Sequence, residues 1–187
     1  MQVWEMFIAT ADGLKIKFES CHGLQEQSMY YNGWVGGQYI TNLFVYSIEG
    51  RIIEACINVP GAIHYSSIAH MFGVYDKLEE KHLETGGKCV VDSAFAAANR
   101  PYLIRSAQDL TRAEDADERV RMQETTSLRQ TPEWGMRAIQ GAFPRLKHFR
   151  RVSMEPFGPP SILSCFVDLA LSHPIMLYSD PLGSRPA

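Results

Sequence analysis

The sequence predicts one α/β domain in which a mixed sheet is flanked by helices. Three observations carry this prediction: a globular composition, strand-type patterns in the first half of the chain, and helical patterns later in it. The 187 residues are 45% hydrophobic, 21% charged and 11% aromatic, which is typical of a single globular domain. A chain of this size buries enough apolar surface to fold without disulfides or a structural metal.

The first predicted strands lie near the N-terminus. Residues 4–11 are mostly apolar, Asp12-Gly13 is a typical turn pair, and residues 14–18 alternate apolar and polar side chains, so we expect a hairpin here. Residues 38–47 and 51–59 are two further β-rich runs joined by a short turn. Together these runs predict a meander of about three or four strands.

Helical and strand patterns alternate in the second half. Residues 66–80 carry apolar side chains near helical spacing, although Gly73 weakens this helix. Residues 88–92 have the pattern of a short buried strand that ends in a carboxylate, and residues 102–104 are a candidate for another. The polar residues 107–128 are a helical or loop insertion.

The clearest helix signal in the chain begins at Thr131. Threonine caps helices well, Pro132 is preset for the first helical position, and Glu133 suits the positive helix end. After residue 151 the composition changes, since the last 36 residues hold six of the ten prolines. We therefore expect a domain over residues 1–151 and a Pro-rich tail over residues 152–187 that lies outside the fold.

The order of these elements and the positions of three acids suggest a ribonuclease H-like α/β fold of the nuclease type. Asp12 ends the first element, Asp92 the fourth, and Glu133 begins the last helix. Two divalent ions about 4 Å apart can activate both oxygens of a phosphodiester cleavage, and Mg²⁺ or Mn²⁺ prefers carboxylate ligands. Two of the acids also have a structural explanation: Asp12 as a turn residue and Glu133 as a partner of the helix dipole. Asp92 favours function, because a lone carboxylate where a buried strand emerges is costly without a partner.

Charge and motif content limit the functions and locations that the sequence allows. The net charge is −3, yet residues 129–151 hold six basic side chains and one acid. The end of that segment, with Arg145, Lys147, Arg150 and Arg151, carries enough charge to contact a DNA backbone. Zinc-type Cys/His spacing and serine-hydrolase or phosphate-loop motifs are missing. The scattered cysteines and the lack of a signal or membrane-spanning run predict an intracellular protein without membrane insertion.

Several blocks occur in order along residues 7–151. They are Tyr30-Tyr-Asn-Gly-Trp34, Cys56-Ile-Asn-Val-Pro-Gly61 with His64, Val74-Tyr-Asp-Lys-Leu-Glu79, Gly86-Gly-Lys-Cys-Val-Val-Asp-Ser-Ala-Phe95, and Glu133-Trp-Gly-Met-Arg137 leading to Phe143-Pro-Arg-Leu-Lys147. Together they resemble the DDE endonuclease domain of Harbinger-type transposases. The resemblance implies that Asp12, Asp92 and Glu133 are catalytic and bind divalent metal, that DNA is the substrate, and that the protein acts in the nucleus.

The sequence departs from that family pattern at three places. Tyr65 follows His64 where the family usually has an aspartate, and Gln140 stands where some members carry their third acid. The chain also begins almost at the first catalytic strand without a helix-turn-helix segment, so we expect a fragment or decayed copy that works with a separate DNA-binding partner protein. Two alternatives therefore stay open: a catalytically inactive DNA- or protein-binding remnant, and a structural or metabolic domain without a nucleic-acid partner.

Overall fold

A computed structural model describes residues 7–17, 24–105 and 116–142 of the chain. The elements in chain order are β1 (Phe7–Lys17), α1 (Leu24–Tyr30), β2 (Tyr31–Asn32), β3 (Gly37–Ser47), β4 (Ile52–Pro60), α2 (Tyr65–Met71), α3 (Val74–Thr85), β5 (Lys88–Val91), β6 (Leu103–Arg105), α4 (Ala116–Leu128) and α5 (Gln130–Ala142).

Within the described residues, six strands form a mixed sheet with β1 near its centre. β1 pairs antiparallel with β3 on one side and parallel with β5 on the other. β3 pairs antiparallel with both β2 and β4, and β5 pairs parallel with β6. A strand order of β4-β3-β1-β5-β6, with helices on both faces, agrees with a ribonuclease H-like fold. The predicted fold class and the predicted strands over 38–47, 51–59, 88–92 and 102–104 are confirmed.

The predicted hairpin at Asp12-Gly13 is wrong. Both residues lie inside the continuous strand β1, opposite Phe44 and Leu43 of β3. Glycine is required for a different reason, because a Cβ atom at Gly13 would overlap the ring of Tyr65. A close approach between strand and ring, rather than a turn, therefore explains the Asp-Gly pair.

The two faces of the sheet bury separate apolar cores, since side chains alternate along a strand. On one face α2 and α3 cover β1 at Ala9 and Ala11. On the other face α5 covers β1 at Leu14 and Ile16, and α4 packs nearby through Leu128. Asp12 follows the alternation of Leu14 and Ile16, which places it on the face that α5 covers.

The helices differ from the sequence predictions in their limits. The helix expected over residues 66–80 is two helices, because Gly73 adopts a left-handed conformation with φ 66° and starts α3. α4 occupies part of the segment predicted as a helical or loop insertion. α5 begins at Gln130, so Thr131 lies inside the helix rather than capping it, while Glu133 is in the first turn as expected. None of the helices in the described ranges is long and apolar enough to cross a membrane.

Candidate functional site

Asp12 and Asp92 lie side by side at the junction of β1 and β5. Ala11 pairs with Val91 in the parallel ladder between these strands, and the two aspartates are the next residues of each chain segment. Because parallel neighbours in register point to the same face of a sheet, both side chains are directed toward one region. Strands β2 to β4 lie between the two acids in the sequence, and the fold brings the acids together.

Backbone amides hold both carboxylates in place. Oδ1 of Asp12 accepts a hydrogen bond from the Gly13 amide at 2.7 Å, and Oδ1 of Asp92 accepts one from the Ala94 amide at 2.7 Å. The second bond belongs to the turn that follows β5, where the Phe95 amide also contacts the Asp92 carbonyl. Such bonds orient a carboxylate without a charged partner.

Asp12 is the electrostatic centre of the site. Burial raises the pKa of its carboxyl to about 6 from the usual 3.8, against the opposing effect of the Gly13 hydrogen bond. The negative charges of Asp92 and Glu133 raise this pKa further, and the positive charge of Arg129 lowers it. Two acids and one guanidinium therefore influence a single carboxyl whose pKa is about 6, which is a pattern typical of functional sites.

Glu133 reaches this region from the first turn of α5. Its side chain is exposed, while Gly135 lies directly against the buried ring of Tyr46 on β3. Burial raises the pKa of the Tyr46 hydroxyl, and the charge of Asp12 raises it further. The start of α5 thus sits over the part of the sheet that carries Asp12. Gln140 lies two helical turns away and is half-buried.

The acids suit a divalent cation by chemistry, although they do not form a compact ligand group. Asp12 and Asp92 offer paired carboxylate oxygens, which are the donors that Mg²⁺ and Mn²⁺ prefer. Among residues 7–17, 24–105 and 116–142, no three His, Cys, Asp or Glu side chains lie close enough to hold a metal ion together. Glu133 influences the pKa of Asp12 through its charge.

Tyr65 occupies the position where an aspartate is usual in the resembling family. Its half-buried ring stacks on Phe95 at 6.2 Å between centroids and an interplanar angle of 11°, and the ammonium of Lys15 lies 5.4 Å from the ring centroid. Burial raises the pKa of the Tyr65 hydroxyl, and the charges of Asp12 and Asp92 raise it further. A neutral aromatic side chain thus stands beside the two aspartates.

A cleft of about 780 Å³ opens beside Asp92. Lys15 and His64 provide its basic groups, and Tyr31 and Trp34 its aromatic ones; the wall between them is formed by Asn32, Gly33, Ala62, Ile63, Tyr65, Ser93 and Ala94. The sequence analysis did not single out Lys15 or Trp34 as site residues. Lys15 lies three residues after Asp12 on β1, so the alternation of side chains directs the two to opposite faces of the sheet, and their closeness in sequence does not predict a shared site. Nothing in the local sequence connects Trp34 with Asp92.

Two basic side chains lie near the acids: Arg129 acts on Asp12 through its positive charge, and Lys15 lines the cleft that contains Asp92. Arg129 is the single residue between α4 and α5, and its place near Asp12 depends on the junction of these two helices. The basic residues predicted to contact DNA lie outside the described residues, and their role stays a prediction: Arg145, Lys147, Arg150 and Arg151.

The sheet order and the juxtaposed aspartates define a ribonuclease H-like domain with an acidic site. The chain belongs to the family described as DDE superfamily endonuclease, which it matches over residues 11–169. This range includes Asp12, Asp92 and Glu133, and it continues past the predicted domain limit at residue 151. Comparison with curated proteins and with solved structures gives no match. Membership of the family indicates a metal-dependent nuclease or transposase whose substrate is DNA.

Proposed function

We propose that this chain is the endonuclease domain of a Harbinger-type transposase, which cleaves DNA phosphodiester bonds with two Mg²⁺ or Mn²⁺ ions. The observation that carries the proposal is the register of Ala11 with Val91, after which Asp12 and Asp92 are the next residues of each chain segment. The family match over most of the chain supports the same chemistry. The ordered sequence blocks support the Harbinger type.

The metal ions would polarise the scissile phosphate and steady the attacking and leaving oxygens. Asp12 and Asp92 are the ligand pair, and Glu133 supplies the third carboxylate from α5. Asp12 must be ionised to bind a cation, so the raised pKa makes metal binding compete with a proton. Lys15 and Arg129 offset the negative charge of the substrate phosphate near these acids.

The basic side chains Arg145, Lys147, Arg150 and Arg151 would contact the backbone of the substrate DNA. Phosphate contacts of this kind give affinity without sequence selection. Target selection is accordingly the task of a separate DNA-binding partner protein. We place the protein in the nucleus because its substrate is genomic DNA, and a fluorescent fusion excluded from the nucleus would contradict this placement.

Nicking of supercoiled plasmid in the presence of Mn²⁺ tests the proposed activity. Wild-type protein should convert supercoiled DNA to the open circle, and Asp12→Asn and Asp92→Asn should abolish the conversion without lowering the melting temperature. Glu80→Gln, which removes an exposed acid of α3 far from the cleft, is the matched control and should keep full activity. Equal nicking by wild type and both aspartate variants would show that the acids do not carry the reaction.

A second candidate function, a catalytically inactive DNA-binding remnant, is favoured by Tyr65. Its ring fills the space beside Asp12 and Asp92 where a carboxylate would add metal-binding charge. DNA retention that weakens with salt, without Mn²⁺-dependent nicking, would support the remnant. In that case Tyr65→Asp should increase Mn²⁺ affinity measured by calorimetry, whereas Tyr65→Phe should not. Absence of any salt-sensitive DNA binding would contradict both functions.

A further inference from the structure

The turn between β2 and β3 presents a concentration of exposed apolar side chains at the mouth of the cleft. Trp34 is 95% exposed, Tyr31 is 52% exposed and Val35 is 45% exposed. Trp34 and Tyr31 both line the cleft that contains Asp92. Single exposed apolar residues are ordinary, but neighbouring aromatic residues at a site are typical of a ligand-binding surface.

Hydrogen bonds of Asn32 fix the shape of this turn. Its Oδ1 accepts from the amides of Trp34 at 3.1 Å and Val35 at 3.2 Å, and its carbonyl accepts from the Gly36 amide at 2.9 Å. Its Nδ2 donates to the carbonyl of Gly61 at 2.7 Å, which ties the turn to the loop before His64. The backbone that carries Trp34 is thus anchored, and an anchored backbone loses little conformational entropy when the turn binds a ligand.

The cleft arranges three kinds of group that suit one nucleotide. Asp92, Lys15 and Trp34 all line it: Lys15 offers a positive charge for a phosphate, and Trp34, which is 95% exposed, offers an aromatic plane. A cleft of about 780 Å³ is in the size range of small-ligand sites of roughly 300–1,000 Å³. A base can stack on an aromatic side chain only when it is taken out of its own stack in the duplex.

We propose that Trp34 forms a stacking subsite for an unpaired DNA base adjacent to the phosphate at Asp92. This inference rests on the proposed function, because it assumes that the cleft receives DNA. Every base has a π-face, so a subsite of this kind discriminates paired from unpaired DNA rather than one sequence from another. The enzyme would therefore prefer DNA that is distorted, gapped or frayed at the cleavage position.

The test compares two fluorescein-labelled duplexes of equal length, one fully paired and one with a single unpaired base at its centre. Binding is measured by anisotropy with Ca²⁺ in place of Mn²⁺, so that affinity is read without cleavage. Trp34→Ala should weaken binding of the unpaired substrate by about 5- to 150-fold, the range expected for loss of one base–aromatic stack. It should leave affinity for the paired duplex nearly unchanged, and Trp34→Phe should restore much of the loss.

Leu83→Ala is the matched control, because Leu83 is 80% exposed on α3 and does not line the cleft. Equal affinity of wild type for both duplexes, or an equal loss on both in Trp34→Ala, would overturn the subsite. A wild-type dimer that becomes monomeric in Trp34→Ala would overturn it too, since Trp34 would then contact a second copy of the chain.

The two hypotheses can fail separately. If plasmid nicking is lacking but the unpaired duplex still binds through Trp34, the proposed activity fails and the subsite stands. If Mn²⁺-dependent nicking occurs without any effect of Trp34→Ala on either duplex, the activity stands and the subsite fails.

Discussion

Substitution of Asp12 by asparagine should stabilise the fold above neutral pH, although it destroys the proposed metal site. The asparagine side chain keeps an oxygen that can accept the Gly13 amide hydrogen bond of 2.7 Å but carries no charge to bury. The ionised carboxylate of the wild type pays a desolvation cost and is repelled by Asp92 and Glu133. The variant removes both unfavourable contributions.

The magnitude follows from the pKa of Asp12, which is about 6 in the folded protein against a usual 3.8. A tenfold change in an ionisation constant corresponds to about 1.4 kcal/mol, so complete ionisation costs the folded state at most about 3 kcal/mol. Water reaches the half-buried side chain and screens part of this cost. We therefore expect Asp12→Asn to be more stable by about 1 to 3 kcal/mol at pH 8.

The raised pKa of Asp12 also determines the direction in which the stability of the wild type changes with pH. Because the folded pKa is raised, the folded state binds the proton more tightly than the unfolded state between about pH 4 and pH 6. The wild type therefore loses stability as pH rises through this window and loses no more above it. The stability difference between variant and wild type should be smallest near pH 4 and should grow until about pH 6.

Urea unfolding of both proteins at several pH values from 4 to 8 measures this difference, with Glu80→Gln as the control for loss of an exposed acid. Mn²⁺ should reverse the order, because it stabilises only the protein that retains the carboxylate. A stability difference that does not change with pH would refute the assignment of the cost to Asp12 ionisation. A wild type that Mn²⁺ fails to stabilise at pH 8 would refute the metal site.

Three further predictions concern packing, the third ligand and the domain limit. Gly13→Ala should destabilise the protein by about 1 to 3 kcal/mol in urea unfolding, because its Cβ would overlap Tyr65. The double variant with Tyr65→Ala should lose less stability than the sum of the two single variants, and strict additivity would exclude the contact. Glu133→Gln should abolish Mn²⁺-dependent nicking with an unchanged melting temperature while Gln140→Ala is mild, and the reverse pattern would assign the third ligand position to Gln140. Deletion of residues 153–187 should leave the melting temperature nearly unchanged, and a large decrease would place the domain limit further along the chain, within the matched range that ends at residue 169.

The strands were predictable because each is a run with its own hydrophobic pattern. Residues 38–47 correspond to β3 (Gly37–Ser47) and residues 88–92 to β5 (Lys88–Val91), within one residue at each end. The pairing between these strands, in contrast, cannot be predicted from such local patterns. The register of Ala11 with Val91 joins positions far apart in the chain, and no local pattern specifies which residues of two distant strands meet. The aspartates could thus be predicted as a pair from sequence, but the strand register that makes them neighbours could not.

The helices were less predictable because tertiary packing sets their limits. Gly73 is visible in the sequence as a weak point, yet only its left-handed backbone shows that one helix becomes two. The capping residues around Thr131 are sound signals for a helix start. In the structure α4 ends at Leu128 and α5 begins at Gln130. The close approach of α4 thus leaves α5 beginning one residue before Thr131.

The error at Asp12-Gly13 and the electrostatics of the site have a common origin. A turn would expose the Asp12 carboxylate to water, and its pKa would then need no increase. The structure places the same residue inside β1, where burial and Asp92 raise its pKa. The glycine permits Tyr65 to pack against the strand beside it. The ionised carboxylate of Asp12 therefore destabilises the folded protein until a cation neutralises it. We accordingly expect the strongest metal binding at a pH above about 6, where Asp12 is ionised.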